Sequence, residues 1–173
     1  MLIKIMGAAM ILTSAAVLGF MKAEKYRERL RELRNLQVAL HMLSSEIRYT
    51  ATPVPLAFAK IGSRVDKPVS LFFLKCAQLL EENPEEEFSQ MWRRTIEEHF
   101  SETAMESIDL ELLLSISSFL GISDQQHQEK QINLILHQLD QVEKEAFEAM
   151  HKNQRMWRYL GVIGGLMLVL MLI

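Results

Sequence analysis

The stretch LRNLQVALHMLSSEIRYTATP, residues 33–53, decides the fold predicted for this chain. Its apolar residues recur at intervals of three and four, which places them on one face of an α-helix. They are Leu33, Leu36, Leu40, Leu43 and Ile47. The helix is expected to end at about Thr50, because a residue before proline is pushed out of the helical region and Thr52 precedes Pro53.

Upstream, the same helix is predicted to continue into a membrane anchor over residues 2–21, where only Lys4 is charged. Twenty helical residues span about 30 Å, the thickness of the hydrocarbon core. Six cations then follow, namely Lys22, Lys25, Arg27, Arg29, Arg31 and Arg34. A signal peptide carries its cations before the apolar region, which favours a retained anchor over a cleaved signal or a buried core helix. The cations also predict that the chain from residue 22 onward is cytoplasmic.

The C-terminal end repeats this pattern in reverse. Three cations and two aromatic residues, Lys152, Arg155, Trp157, Arg158 and Tyr159, lead into the apolar run 160–173. Because this run measures only about 21 Å as a helix, an interfacial or partly inserted tail is the alternative to a second span. We predict anchors over 2–21 and 159–173, a cytoplasmic domain over 22–158, and both termini outside.

Each predicted anchor contains two small residues four positions apart, which is the spacing that lets helix backbones approach closely in lipid. The pairs are Ala15 with Gly19 and Gly161 with Gly165. They are candidates for helix packing within one chain or between chains.

The segment between the anchors is predicted to form a bundle of six helices, with four shorter ones between two long ones. Asn83 followed by Pro84 predicts the start of the fourth helix, and Ser107 is the expected cap of the fifth. Gly121 is expected to end the fifth helix, and residues 123–126 resemble a capping box that opens the sixth. The second long stripe comprises Ile132, Leu136, Leu139, Val142, Ala146 and Met150. The fold predicted is therefore all-α, a single cytoplasmic six-helix bundle flanked by N- and C-terminal transmembrane helices.

The charge of the central segment argues against nucleic acid as a partner. Its 18 basic and 22 acidic residues give a net charge of −4. No lysine or arginine occurs between Arg94 and Lys130, and acidic residues are frequent from residue 81 onward. Such a region is either a solvated surface or a docking face for a basic partner, for which Glu85, Glu86 and Glu87 are the candidates.

The sequence contains no recognisable motif for catalysis, metal binding or a cofactor. Cys76 is the single cysteine and lies in the apolar stretch LFFLKCAQLL, where a buried packing role is expected. The five histidines are scattered, and no His-Glu-x-x-His motif occurs. A membrane enzyme that uses Cys76 or a histidine is the least favoured hypothesis.

Two stretches resemble the stage III sporulation AB family of endospore-forming bacteria. They are residues 30–61, with Glu46, Tyr49, Thr52 and Pro53, and residues 119–134, with Gly121 and Asp124. The layout with two terminal apolar segments and the total size resemble the family too. Glu46 and Tyr49 are either a structural pair that closes the first helix or a contact for a partner.

The resemblance implies a non-enzymatic platform subunit in the channel complex that links mother cell and forespore. It implies a position on the mother-cell side of the outer forespore membrane. The implied partners are the secretion-type ATPase of the same operon and the other membrane subunits of the channel. The family's cytoplasmic domain is similar to the six-helix domains of type II secretion system F proteins. Those proteins carry two such domains and this chain one, so a homo-oligomer, at least a dimer, is expected.

A hypothesis of a different class also fits the residues. A membrane-tethered helical module that sequesters a soluble signalling regulator would bind one soluble partner and need no membrane assembly.

Overall fold

The computed structural model describes residues 2–50, 52–120 and 125–172, and all regular structure within these ranges is helical. The six α-helices are α1 (Leu2–Ser45), α2 (Val54–Gly62), α3 (Val69–Glu82), α4 (Phe88–His99), α5 (Ser107–Ser115) and α6 (Gln125–Leu172). A π-helical turn, Glu46–Thr50, follows α1 directly. Single 3₁₀ turns, Phe100–Glu102 and Ile116–Ser118, follow α4 and α5. The predicted all-α fold with six helices is confirmed.

The chain divides into two compact units. One consists of Met1–Leu30 together with Glu145–Ile173, and the other is Arg31–Lys144. Within the described ranges, no helix is both long enough and apolar enough to cross a membrane. The anchors over 2–21 and 159–173 therefore stay a prediction.

In the unit Arg31–Lys144, the long helices α1 and α6 run antiparallel. Arg34 Nε lies 2.8 Å from Glu143 Oε1, and Arg48 Nη1 lies 3.4 Å from Glu129 Oε1. Moving fourteen residues forward in the chain from Arg34 to Arg48 corresponds to moving fourteen residues backward from Glu143 to Glu129, as expected for antiparallel helices. Apolar residues of both helices are buried, namely Leu33, Leu36, Leu40, Leu43, Ile132, Ile135, Leu139 and Val142. Ile135 occupies the buried place predicted for Leu136, and Leu136 is half-buried, as is Ile47.

The shorter helices pack around an aromatic cluster, formed by Phe58 of α2, Phe73 of α3, and Phe88 and Trp92 of α4. The Phe58 ring centroid lies 5.1 Å from that of Phe73 and 5.5 Å from that of Trp92, both in edge-to-face geometry. Trp92 is fully buried, and its Nε1 donates to the carbonyl of Leu113 in α5 at 2.7 Å. This bond satisfies the one polar group of the indole and joins α4 to α5.

Two predicted helix starts are wrong. Asn83 ends α3 instead of opening α4, since its backbone N–H and its Nδ2 both donate to the carbonyl of Leu79, at 2.9 and 3.2 Å. Helix α4 begins five residues later, at Phe88. In α5 the cap is Glu106 instead of Ser107, and its N–H donates to Asp109 Oδ2 at 2.7 Å. The predicted boundaries at Gly121 and residues 123–124 lie outside the described residues.

Helices α2 and α3 approach closely at Gly62. A Cβ added there would lie 2.6 Å from Leu74 Cγ and 3.1 Å from the backbone nitrogen of Leu74. Glycine is therefore required at this position by space and not by backbone conformation.

We expect Gly62→Ala to lower the free energy of unfolding by about 1–2 kcal/mol, because the overlap with Leu74 outweighs the better helix propensity of alanine. Urea denaturation of the full chain in mild detergent, followed by circular dichroism, measures the change. The double variant Gly62→Ala/Leu74→Ala should cost less than the sum of the single changes. Additive costs would contradict a steric origin.

Candidate functional site

The candidate site is the elbow, which we define as residues 46–50, 52 and 53, between α1 and α2. Its first five residues form the π-helical turn, and Pro53 then precedes the first residue of α2. The backbone N–H of Ala57 donates to the carbonyl of Pro53 at 3.0 Å, which anchors the start of α2 to the elbow. Short π-helical segments are rare and occur often at functional sites.

The carboxylate of Glu46 holds the inside of the elbow together. Glu46 is buried and accepts hydrogen bonds from Thr52 Oγ1 at 2.9 Å and from Lys60 Nζ of α2. It thus connects the end of α1 with the segment before α2 and with α2 itself. Because an ion pair needs hydrogen-bond partners to offset the cost of leaving water, both donors are required for this carboxylate to stay charged and buried.

The outside of the elbow carries an aromatic residue and a cation. The Tyr49 side chain is 72% exposed, and the Arg48 guanidinium carbon lies 4.9 Å from the centroid of its ring. Arg48 also pairs with Glu129 of α6. Pro53 and Leu56 are exposed as well. Tyrosine and arginine are enriched among the residues that dominate protein–protein binding energy.

Glu46 and Tyr49 do not form the structural pair considered from their spacing. The partners of Glu46 are Thr52 and Lys60, whereas Tyr49 contacts Arg48 and faces solvent. The two residues therefore have separate roles, one holding the elbow and one presenting its surface.

The acidic turn, residues 81–87, comprises the last two residues of α3 and the connection to α4, and it contains the three docking candidates. Glu85 and Glu87 are exposed, and Ser89 Oγ donates to Glu87 Oε2 at 3.2 Å. Glu86 is half-buried and lies 3.7 Å from Arg94 Nη1. The structure thus brings the three carboxylates onto one surface turn, and Arg94 partly neutralises the middle one.

The remaining residues singled out from the sequence are the small-residue pairs of the predicted anchors, together with Gly121 and Asp124. Gly19 is buried in the unit that holds both chain termini. The surroundings of Ala15, Gly161 and Gly165 are not among the features that the structure describes, and Gly121 and Asp124 lie outside the described residues.

Sequence reasoning missed Lys60 and the role of Glu32. Lys60 is the single charged residue of the apolar helix VPLAFAKIG, which is the one signal that could have indicated a buried partner. Glu32 is 3% exposed and accepts a hydrogen bond from the backbone N–H of Ala104 at 2.8 Å. It therefore ties the loop before α5 to α1.

The described residues show a structural role for the single thiol and no cluster for a metal. Cys76 is buried in α3, and its burial raises the pKa of the thiol to about 12. No group of three or more His, Cys, Asp or Glu side chains is arranged to hold a metal ion over the described ranges.

The chain is similar to known proteins both in sequence and in structure. The chain matches the family model for stage III sporulation protein AB over residues 4–173. It is 32% identical over 171 residues to stage III sporulation protein AB of Bacillus subtilis (strain 168), with 99% of each chain covered. A solved structure of a stage III sporulation protein AB matches with a TM-score of 0.67 at 29% identity, over 72% of this chain and 97% of that one. The resemblance drawn from residues 30–61 and 119–134 is confirmed.

We expect Lys60→Met to destabilise the chain by about 1–3 kcal/mol, because Glu46 loses its cation while it stays buried. This loss of stability is smaller than for a fully buried ion pair because the Lys60 side chain is partly exposed. Urea denaturation of the full chain in detergent checks this. The double variant Glu46→Gln/Lys60→Met should recover part of the loss. Unchanged stability of Lys60→Met would show that the ion pair contributes nothing.

We expect Cys76 to be unreactive in the native chain at pH 8. A pKa raised to about 12 means that the thiol stays protonated up to high pH, so the thiolate fraction at pH 8 is about one in ten thousand. Labelling with a chromogenic disulfide reagent, before and after unfolding in guanidinium, measures this, because Cys76 is the single cysteine. Stoichiometric labelling of the native chain within minutes would contradict the buried assignment.

Proposed function

Because the chain belongs to the stage III sporulation protein AB family, we propose that it is a non-enzymatic membrane platform subunit of the channel complex between mother cell and forespore. In this role it docks a cytoplasmic secretion-type ATPase against the other membrane subunits of the channel. The observation that carries the proposal is the length of the family match, residues 4–173, which includes both terminal apolar segments.

The exposure of apolar side chains before the basic segment supports membrane anchoring. Leu18 and Met21 are each 65% exposed, and Val17 and Phe20 are more than half exposed. The next residue is Lys22, which is also exposed. Four large exposed apolar side chains within five residues are costly in water but not in hydrocarbon. We therefore retain the N-terminal anchor over 2–21, and the C-terminal anchor over 159–173 as its counterpart, with the residues between them cytoplasmic.

The acidic turn is the surface that we propose for docking the ATPase. Its exposed carboxylates suit a basic partner, and such complementarity raises the rate and specificity of encounter more than the affinity. The elbow offers Tyr49 as an aromatic anchor beside Arg48. Its position is fixed by the buried carboxylate of Glu46, so little ordering is required when a partner binds.

The proposed platform contains more than one copy of the chain. From the family resemblance we infer that the unit Arg31–Lys144 corresponds to one of the two helical domains that the secretion F proteins carry. Two copies at least would give a platform of comparable size.

We expect the charge reversal Glu85→Lys/Glu87→Lys to reduce co-purification of the ATPase from sporulating-cell membranes by about tenfold, since two attractive charges become repulsive. The matched control is Glu98→Lys/Glu111→Lys, which makes the same change in net charge at two other exposed acids. It should retain the ATPase. Tagged full-length protein and mass spectrometry of the accompanying proteins provide the measurement.

Three results of this experiment would change the proposal. Equal loss in the test and control variants would indicate general electrostatics instead of a specific surface. Retention in the test variant would move the docking site away from the acidic turn. A single soluble regulator with no membrane partners would replace the platform by the sequestering module.

A further inference from the structure

Two of the three acidic residues of the basic segment, residues 22–34, are engaged within the protein. Glu24 pairs with Arg27 at 2.5 Å. Glu32 is buried and accepts the hydrogen bond from Ala104. Of the three acids between the cations, Glu28 alone is exposed, and it has no ion pair with a described residue. Glu24 and Glu32 therefore have partners other than Lys22 and Lys25.

Two lysines at the start of this segment keep their charge at the surface. Lys22 and Lys25 are exposed, and no described residue forms an ion pair with either. Positions three apart on a helix are neighbours on one side, so the two ammonium groups share a face of α1. In contrast, Arg27, Arg34 and Arg48 are paired with Glu24, Glu143 and Glu129.

The surroundings of these lysines point to a lipid surface as the ligand. The exposed apolar side chains of Leu18 and Met21 directly precede them. A lysine stem can lie along such apolar surface while its ammonium group reaches the polar layer. Basic residues directly beyond a membrane segment attract anionic lipid headgroups, and the attraction is lost within a Debye length.

We propose that Lys22 and Lys25 bind the phosphate groups of anionic phospholipids in the cytoplasmic leaflet, so that this subunit prefers an anionic membrane. The inference rests on the proposed membrane anchoring and adds to it the chemical class of lipid and the residues that select it. Paired arginines such as Arg27 contribute less, because their charge is already matched within the chain.

A tryptophan placed beside the lysines tests the proposal. The variant Leu18→Trp/Trp157→Phe of the full chain has one reporter four positions before Lys22, on the face of α1 that Lys22 and Lys25 share, and one buried tryptophan, Trp92, as a constant background. It is reconstituted into phosphatidylcholine vesicles that contain increasing fractions of either brominated phosphatidylglycerol or brominated phosphatidylcholine. Bromine quenches tryptophan on contact, so the two quenching curves give the relative occupancy of the two lipids.

We expect phosphatidylglycerol to be favoured by about three- to tenfold at low ionic strength, and the preference to fall toward one in 0.5 M salt. Adding Lys22→Gln/Lys25→Gln should reduce the preference to less than about twofold. Adding Lys67→Gln/Lys75→Gln is the matched control, since both lysines are exposed in the unit Arg31–Lys144 and have no ion pair with a described residue. This control should keep the full preference.

The possible failures are distinguishable. Quenching of equal strength by both lipids would overturn the lipid preference while membrane anchoring stands. A preference that survives Lys22→Gln/Lys25→Gln would overturn the assignment to these lysines. An absence of quenching by either lipid would show that residue 18 is not in the bilayer, which would overturn both this inference and the anchoring on which it rests.

Discussion

Burial of the leucine stripe on α1 is the constraint on which the unit Arg31–Lys144 depends. Its four leucines, Leu33, Leu36, Leu40 and Leu43, are at most 1% exposed, and burying each contributes about 1.5–3 kcal/mol relative to exposure. The ion pairs that link α1 and the π-helical turn to α6, Arg34 with Glu143 and Arg48 with Glu129, are partly exposed and contribute about 0–1 kcal/mol each. Apolar burial therefore supplies the stability of this helix pair, whereas the ion pairs favour one register among those that would cover the stripe.

The end of α1 converts this helix pairing into a fixed surface. Pro53 prevents α1 from continuing, and the buried carboxylate of Glu46 accepts hydrogen bonds from Thr52 and Lys60, which follow it in the chain. Lys60 supplies one of them, and Phe58 on the same helix packs against Phe73 and Trp92. The path of the chain at the elbow is thus held from two sides, by the ion pair and by the aromatic cluster. Tyr49 is presented by a rigid support although its own side chain is largely exposed.

The helices could be predicted from the sequence because their apolar periodicity and prolines are local signals. The contacts of the site residues could not be predicted, because their partners are distant in sequence. Glu46 and Lys60 are fourteen residues apart, and Glu32 and Ala104 are seventy-two apart. The error at Asn83 has a different cause. An asparagine side chain can either accept from the free N–H groups at the start of a helix or donate to the free carbonyls at its end. Here the side-chain amide and the backbone N–H of Asn83 donate to the last turn of α3. The spacing of Glu46 and Tyr49 also allowed a pair between them, but spacing does not indicate which of two neighbouring side chains is buried.

The two proposed ligands of this chain have opposite charge requirements, and the sequence separates the residues that meet them. Cations are concentrated in residues 22–34 and 152–158, next to the apolar ends, and acids in residues 81–111, the part most distant from both ends in sequence. An anionic lipid surface attracts the first group and repels the second, so the acidic turn stays available to a basic protein partner. If cations and acids were interspersed along the chain, the lipid surface and the protein partner would each be repelled by the charges that attract the other. In the proposed role the subunit holds a membrane and a soluble partner at the same time, and this segregation of charge serves both.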